Sequence, residues 1–430
     1  MASVAFSSFG TVRTHISTLT VFFTALFGLS VLCSSAAAQM SLQEAVLLST
    51  SQDPGLAALR QEVAVRSVDI QAARDAYFPS ISLSGESSTT DSNGAGATLS
   101  VEQVLFDWGL TRGRIDEASH ARVKAITDLK AAIEDLTFEI AGFFLDVEVM
   151  DKKLAFTRQY LEFARRLSSQ AEDRARAGVS DNSEVARARL EIARAEDQYT
   201  QILANRQIAM SQLDFLVGQP VGSVSVPPAL GFENIYATQG KIDAAVRISP
   251  QYIAARAKVL EAEAGIGVAK AARLPTIKLQ AQARTDLNGG DTQTALGISA
   301  GVDLSSRSFG QREIQSARLA LDGAKSSLDA TERQLRNTAA SALERLELLT
   351  RSEVARGVQL TEAEKVLNTY EDQFIAGRRE ILDLLTTGRD LYDAQIDQVD
   401  AYDERKRTEY ESAKDLGVLG TLLQAQSGTL

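Results

Sequence analysis

Ala73-Arg74-Asp75-Ala76-Tyr77-Phe78-Pro79-Ser80-Ile81-Ser82-Leu83-Ser84 is answered 196 residues after its proline by Ala271-Ala272-Arg273-Leu274-Pro275-Thr276-Ile277-Lys278-Leu279-Gln280. In both stretches a polar turn reaches a proline, and strict alternation of apolar and polar residues begins. Each proline is also preceded 25 residues earlier by another, in Gln52-Asp53-Pro54 and Ile248-Ser249-Pro250. Further on, Ala177-Gly178 recurs as Ala376-Gly377. Repeated breakers at near-constant offset indicate an internal two-fold repeat. The joint between its halves is rich in breakers, with Gly218, Pro220, Gly222, Pro227 and Pro228.

The alternation marks β-hairpins at about 79–106 and 275–305. Ile81, Leu83, Leu99 and Val101 stand against Ser80, Ser82, Ser84, Ser100 and Glu102. In the second half Ile277, Leu279, Ala281, Leu296 and Ile298 stand against Lys278, Gln280, Gln282, Gly297 and Ser299. Asn93-Gly94 and Asn288-Gly289-Gly290 supply residues that accept positive φ, so turns are expected at Asp91–Gly96 and Asn288–Asp291. A half-buried soluble hairpin gives the same pattern. Strands of about ten residues also suit a tilted transmembrane strand.

Between the hairpins the period changes. Ile126, Leu129, Ile133, Leu136, Ile140, Phe143, Val147, Met150, Leu154, Thr157 and Leu161 keep 3-4 spacing, the seam of a coiled coil. A similar run from Ile314 to Leu349 slips phase once. A helix over about 111–176 would be about 100 Å long, beyond any ordinary globular core. Shorter segments, at about 55–77 with 183–216 and 252–273 with 380–416, would stack end to end along the two long helices.

Residues 1–38 read as a secretory signal peptide, with one charge at Arg13, an apolar run from Leu19 to Leu32 and Ala36-Ala37-Ala38 before a cleavage site ahead of Gln39. A membrane anchor would need roughly 20 apolar residues. The organisation expected is 1–38 signal, 39–218 first repeat, 219–240 linker, 241–420 second repeat and 421–430 tail. The 430 residues carry a net charge of −11, which argues against nucleic-acid partners. One cysteine and two histidines, with Cys33 and His15 in the signal, leave His120 alone. Metal clusters, Cys-His pairs and Ser-His-Asp triads lack their parts, so no enzyme, cofactor or metal is expected. Arg405-Lys406-Arg407, flanked by acids, reads as a solvated helix face.

Four amphipathic strands cannot close a barrel, and open edges are not tolerated in lipid, so several chains must combine. Three copies give twelve strands, two give eight.

These features, with Ser41-Leu42-Gln43-Glu44-Ala45 and Gln103-Val104-Leu105-Phe106-Asp107-Trp108-Gly109, resemble the TolC family of outer-membrane channels. The resemblance implies a mainly α fold with transmembrane β: a homotrimer whose 12-stranded barrel, four strands per chain, continues as a long α-helical coiled-coil tunnel. It implies an exit duct of a type I secretion or tripartite efflux system, seated in outer-membrane lipid. A periplasmic adaptor (membrane fusion protein) and an inner-membrane ABC or RND-type transporter would be its partners. A periplasmic or surface structural coiled-coil protein without a pore is the alternative.

The resemblance also assigns the helix turns. Gly178, Val179, Ser180, Gly377 and Arg378 would meet the adaptor. Arg379 would latch to Glu184, and Asp383 would constrict the pore. Phe374 stands where the family has a latch tyrosine, and Thr386 where a second acid is usual. Two simpler readings stand beside these: Gly178 and Gly377 as helix C-caps, and Asp181 with Glu184 as an N-capping pair.

Overall fold

The computed structural model describes residues 39–87, 95–179, 181–286, 291–302 and 310–426. The segment expected as a signal peptide, Ser180, most of both expected hairpin turns and the last four residues lie outside them.

The first half runs α1 (Leu42–Gln52), α2 (Pro54–Asp75), β1 (Ser80–Ser87), β2 (Ala95–Phe106), α3 (Leu110–Arg176) and α4 (Asn182–Val217). The second runs α5 (Phe232–Ile235), α6 (Gln239–Ile248), α7 (Pro250–Ala271), β3 (Thr276–Asp286), β4 (Gln293–Gly301), α8 (Gln311–Ile375), α9 (Ile381–Asp415) and α10 (Leu419–Gln426). The repeated prolines start α2 and α7 in the same way. Asp53 accepts a hydrogen bond from the Leu56 N–H, Ser249 accepts one from Tyr252, and proline opens each 22-residue helix, where its missing N–H costs nothing. The 67 residues of α3 and 65 of α8 give two rods of about 100 Å. Alongside α3 lie α2 and α4 on one flank and α7 and α9 on the other, and α8 packs against α7 and α9.

Four antiparallel strands pair in the order β1-β2-β3-β4. The register aligns Ile81, Val101, Ala281 and Leu296 across the sheet, and Leu279 with Ile298. Residues directly opposite share a face, so one face is apolar and the other carries Ser82, Ser100, Gln282, Glu102 and Lys278. Glu102 holds Lys278 at 3.1 Å and accepts from Gln280 at 2.8 Å on that polar face. On the apolar face Ile81 is 71% exposed and Leu296 75%. At the strand-to-helix bend Trp108 takes a φ of +57° and donates its indole N–H to the Pro275 carbonyl at 3.1 Å. Its ring meets Phe106 edge-on at 4.8 Å. Thus Trp108 joins the two halves at the foot of the sheet while staying half exposed.

Midway along the rods, α1, α5, α6, α10 and the linker pack onto α3, α4, α8 and α9. Their shared core includes Leu42, Ile140, Phe144, Leu213, Phe232, Tyr410 and Leu419. Here the sequence reading needs two corrections. Lys406 is only 4% exposed, because the linker folds back over α9. Its ammonium donates to the Pro228 carbonyl at 3.3 Å and lies 3.9 Å from Glu409, and burial pulls its pKa down. Arg405 pairs with Glu353, and Arg407 reaches Asp146 at 2.6 Å and Asp403 at 2.8 Å. Secondly, the segment expected as a tail is largely helix α10, whose Leu422 and Leu423 are buried. Among the described helices none is long and apolar enough to cross a membrane.

Candidate functional site

The rods end in two turns of one geometry. Gly178 and Gly377 both have φ of +72°, a conformation glycine adopts without a Cβ penalty. The Gly178 N–H donates to Ala175 at 3.1 Å and the Val179 N–H to Arg174 at 2.9 Å. Gly377 donates to Phe374 at 2.9 Å and Arg378 to Gln373 at 2.8 Å. This double bond is a Schellman cap, so the capping reading of both glycines is correct. It leaves Val179 exposed at the tip.

Beyond each turn the next helix is capped locally. Asp181 accepts from the Ser183 N–H at 2.9 Å. The Glu184 N–H also faces the Asp181 carboxylate, whereas its own side chain is half-buried and one of its carboxylate oxygens has no hydrogen-bond partner among the described residues. At α9 Glu380 is the N-cap. Its side chain accepts from the Asp383 N–H, and the Asp383 carboxylate accepts from the Glu380 N–H at 3.4 Å. The latch expected between Arg379 and Glu184 is not formed within the chain. Arg379 instead lies 3.6 Å from Asp383, donates to Gln373 at 2.9 Å and sits over the Tyr370 ring at 4.0 Å. The reason is local: Asp383 is one turn further on, and Tyr370 lies under the guanidinium. Phe374 packs in the apolar cluster of the tip, 5.7 Å from the Arg174 guanidinium. Thr386 donates back to the Leu382 carbonyl at 2.9 Å.

Two turns above Asp383 lies a cluster the sequence reading missed. Glu191 of α4 is 5% exposed. It accepts from the Tyr160 hydroxyl at 3.2 Å and from Arg194 at 2.8 Å, with Arg389 of α9 at 3.8 Å. Tyr160 stacks on Tyr392 at 4.9 Å, and the Tyr392 hydroxyl meets Thr157 at 3.0 Å. Thr157, the one polar member of the seam, is thus buried with its hydroxyl satisfied. Burial, and then the charge of Glu191, raise the Tyr160 phenol well above its usual pKa. Gly388 beside them has no room for a side chain, because a Cβ would overlap the Phe163 ring. A glycine inside an otherwise regular helical run was the available sequence signal. Gly388→Ala is expected to cost about 1–3 kcal/mol through overpacking, despite alanine's better helix propensity. Thermal melting in detergent measures it, and Phe163→Leu in the same chain should restore most of the loss.

Residues 47–219 and 242–412 match the family model described as outer membrane efflux protein. The chain belongs to the outer membrane efflux protein family. Protein CyaE of Bordetella pertussis is 27% identical over 254 residues, 56% of this chain and 53% of that one, so the match spans about half of that relative. Outer membrane efflux protein BepC of Brucella suis is 23% identical over 388 residues, 86% of this chain and 84% of its own. Among solved structures, the outer membrane protein VceC of Vibrio cholerae aligns with a TM-score of 0.73 at 16% identity, covering 87% of this chain and 96% of that one. The fold is that of TolC-like outer-membrane channels, mainly helical with some strands. Efflux family members are channels rather than enzymes, and they reside in the outer membrane.

Proposed function

We propose that three copies of this chain form an outer-membrane exit duct that passively conducts substrate outward from an inner-membrane transporter and periplasmic adaptor. One observation carries the reading: a four-stranded sheet with an exposed apolar face and two open edges stands at the end of rods about 100 Å long. Lipid would cover the apolar face, and neighbouring chains would pair β1 with β4. Apolar side chains left bare on opposite flanks support this, with Ile208 and Phe215 on α4 and Leu348, Val358 and Ile375 on α8. Three copies give twelve strands and an open bore, whereas two give eight strands that side chains fill. The match of one family model to two successive segments supports an internal duplication. Native mass spectrometry in detergent tests the trimer. A stable monomer, or migration of the outer-membrane form that heating does not alter, favours a structural coiled-coil protein instead.

In this reading the turns at Gly178, Val179, Ser180, Gly377 and Arg378 face the adaptor, in a type I secretion or tripartite efflux system. Asp383 contributes one ring of three carboxylates at the mouth. Arg379, held by Asp383, Gln373 and Tyr370, keeps the α8–α9 turn closed. Asp383→Asn should lower cation preference in planar bilayers, and Arg379→Ser should raise conductance. Unchanged selectivity and conductance in both variants would remove these residues from the gate.

A further inference from the structure

Glu191 draws three guanidinium groups to one point. Its Oε1 lies 2.8 Å from Arg194 and 3.9 Å from Arg187, both on α4, and its Oε2 lies 3.8 Å from Arg389 on α9. The carboxylate is 6% exposed, whereas the Arg187 and Arg194 side chains are each about half exposed. Beside them is a cleft of about 270 Å³ between α4 and α9, walled also by Thr386 and Asp390. The acids are fewer at its surface than the cations. Glu191 sits beneath the arginines, Asp393 is taken up by Arg389 at 3.0 Å, and Asp390 alone stands on the rim. Among the described residues, Arg187 has no charged partner but Glu191, at that long 3.9 Å. Asp383, Thr386 and Asp390 follow each other at three- and four-residue spacing, so the cleft opens on the same strip of α9 as Asp383.

We propose that this cleft is a binding site for carboxylate-bearing anions. A buried acid that gathers guanidinium groups holds their N–H forks ready, and each outward fork matches the two oxygens of a carboxylate. Glu191 and Tyr160 are positioning residues; Arg187 and Arg194 make the contacts, with Arg389 closing the α9 side. A polycarboxylate fits better than a single acid because two arginines on one helix face present two forks. That the site lines the bore of a duct rests on the reading above, and there it would hold small organic acids, or acidic side chains of a passing polypeptide, just above the Asp383 ring.

The test separates the site from the pore. Citrate is titrated calorimetrically into the full-length protein in detergent, beside an oligoglutamate peptide and an oligolysine control. Citrate should bind, and Arg187→Gln/Arg194→Gln should weaken it at least tenfold, while Asp383→Asn should not. Each single arginine variant should lose part of the affinity, and these decide the matter if the double variant does not fold. Stronger binding of oligoglutamate than of citrate would mark polypeptide side chains as the source. In planar bilayers citrate should reduce the current of the wild type but not of the double variant. Absence of citrate and oligoglutamate binding, equal binding in the arginine variants, or preference for oligolysine overturns the site. Citrate binding without any conductance keeps the site and overturns the duct.

Discussion

Glu409→Ala is expected to cost about 3–5 kcal/mol, the range for removing one partner of a buried ion pair. Its Oε1 accepts from the N–H groups of Gly231 at 2.7 Å and Phe232 at 3.2 Å, tying the linker to α9. Alanine would orphan both donors at the linker's entry to α5 and leave the Lys406 ammonium without its 3.9 Å counter-charge. Thermal melting of the detergent-solubilised protein measures the loss. Lys406→Met on the same background should recover part of it, since the stranded cation is then gone; a double-mutant cycle isolates that coupling. A loss below about 1 kcal/mol would mean the linker is anchored elsewhere, a typical hydrogen bond contributing about that much.

The second large effect belongs to the sheet. Leu83→Arg and Leu296→Arg place a charge on the apolar face, where the cost at a bilayer midplane is about 2–4 kcal/mol each. Assembly in the outer membrane should fail, read as loss of the heat-modifiable oligomer band from membrane fractions. Ser82→Arg and Gln282→Arg, one residue from an apolar neighbour but on the opposite face, should assemble. Equal tolerance of all four would show that this face does not meet lipid. The contrast is sharp because a strand's side chains alternate strictly between faces.

Much of the architecture was legible because its causes are local. Alternation after Pro79 and Pro275 marks strands, since successive side chains in a pleated strand point to opposite faces. The repeated prolines mark the two-fold plan, and Gly178 and Gly377 mark helix ends. The distributed resemblance then carried the chain to its family, which residues 47–219 and 242–412 bear out. At the candidate site less was visible. The resemblance assigns Arg379 to Glu184 across the tip, but the first turn of α9 offers Asp383 four residues on and α8 offers Tyr370.

The sequence by itself determined the strands, the long helices and the segments stacked along them, their order and approximate lengths, and which strand face is apolar, because each depends on neighbours within a few residues; the short helices α1, α5, α6 and α10 it did not mark. Tertiary structure alone decided that Lys406 is buried, that Gly388 lies under Phe163 and that Tyr160, Glu191 and Arg389 converge. Those facts depend on the relative register of α3, α4 and α9, rods that slide past one another in steps of a helical turn. The apolar seam alone looks nearly the same after such a step, since its 3-4 spacing repeats. What selects one register is the sum of single fits between residues distant in the chain, a ring over a glycine or an acid among arginines, and no local pattern records which partners will meet.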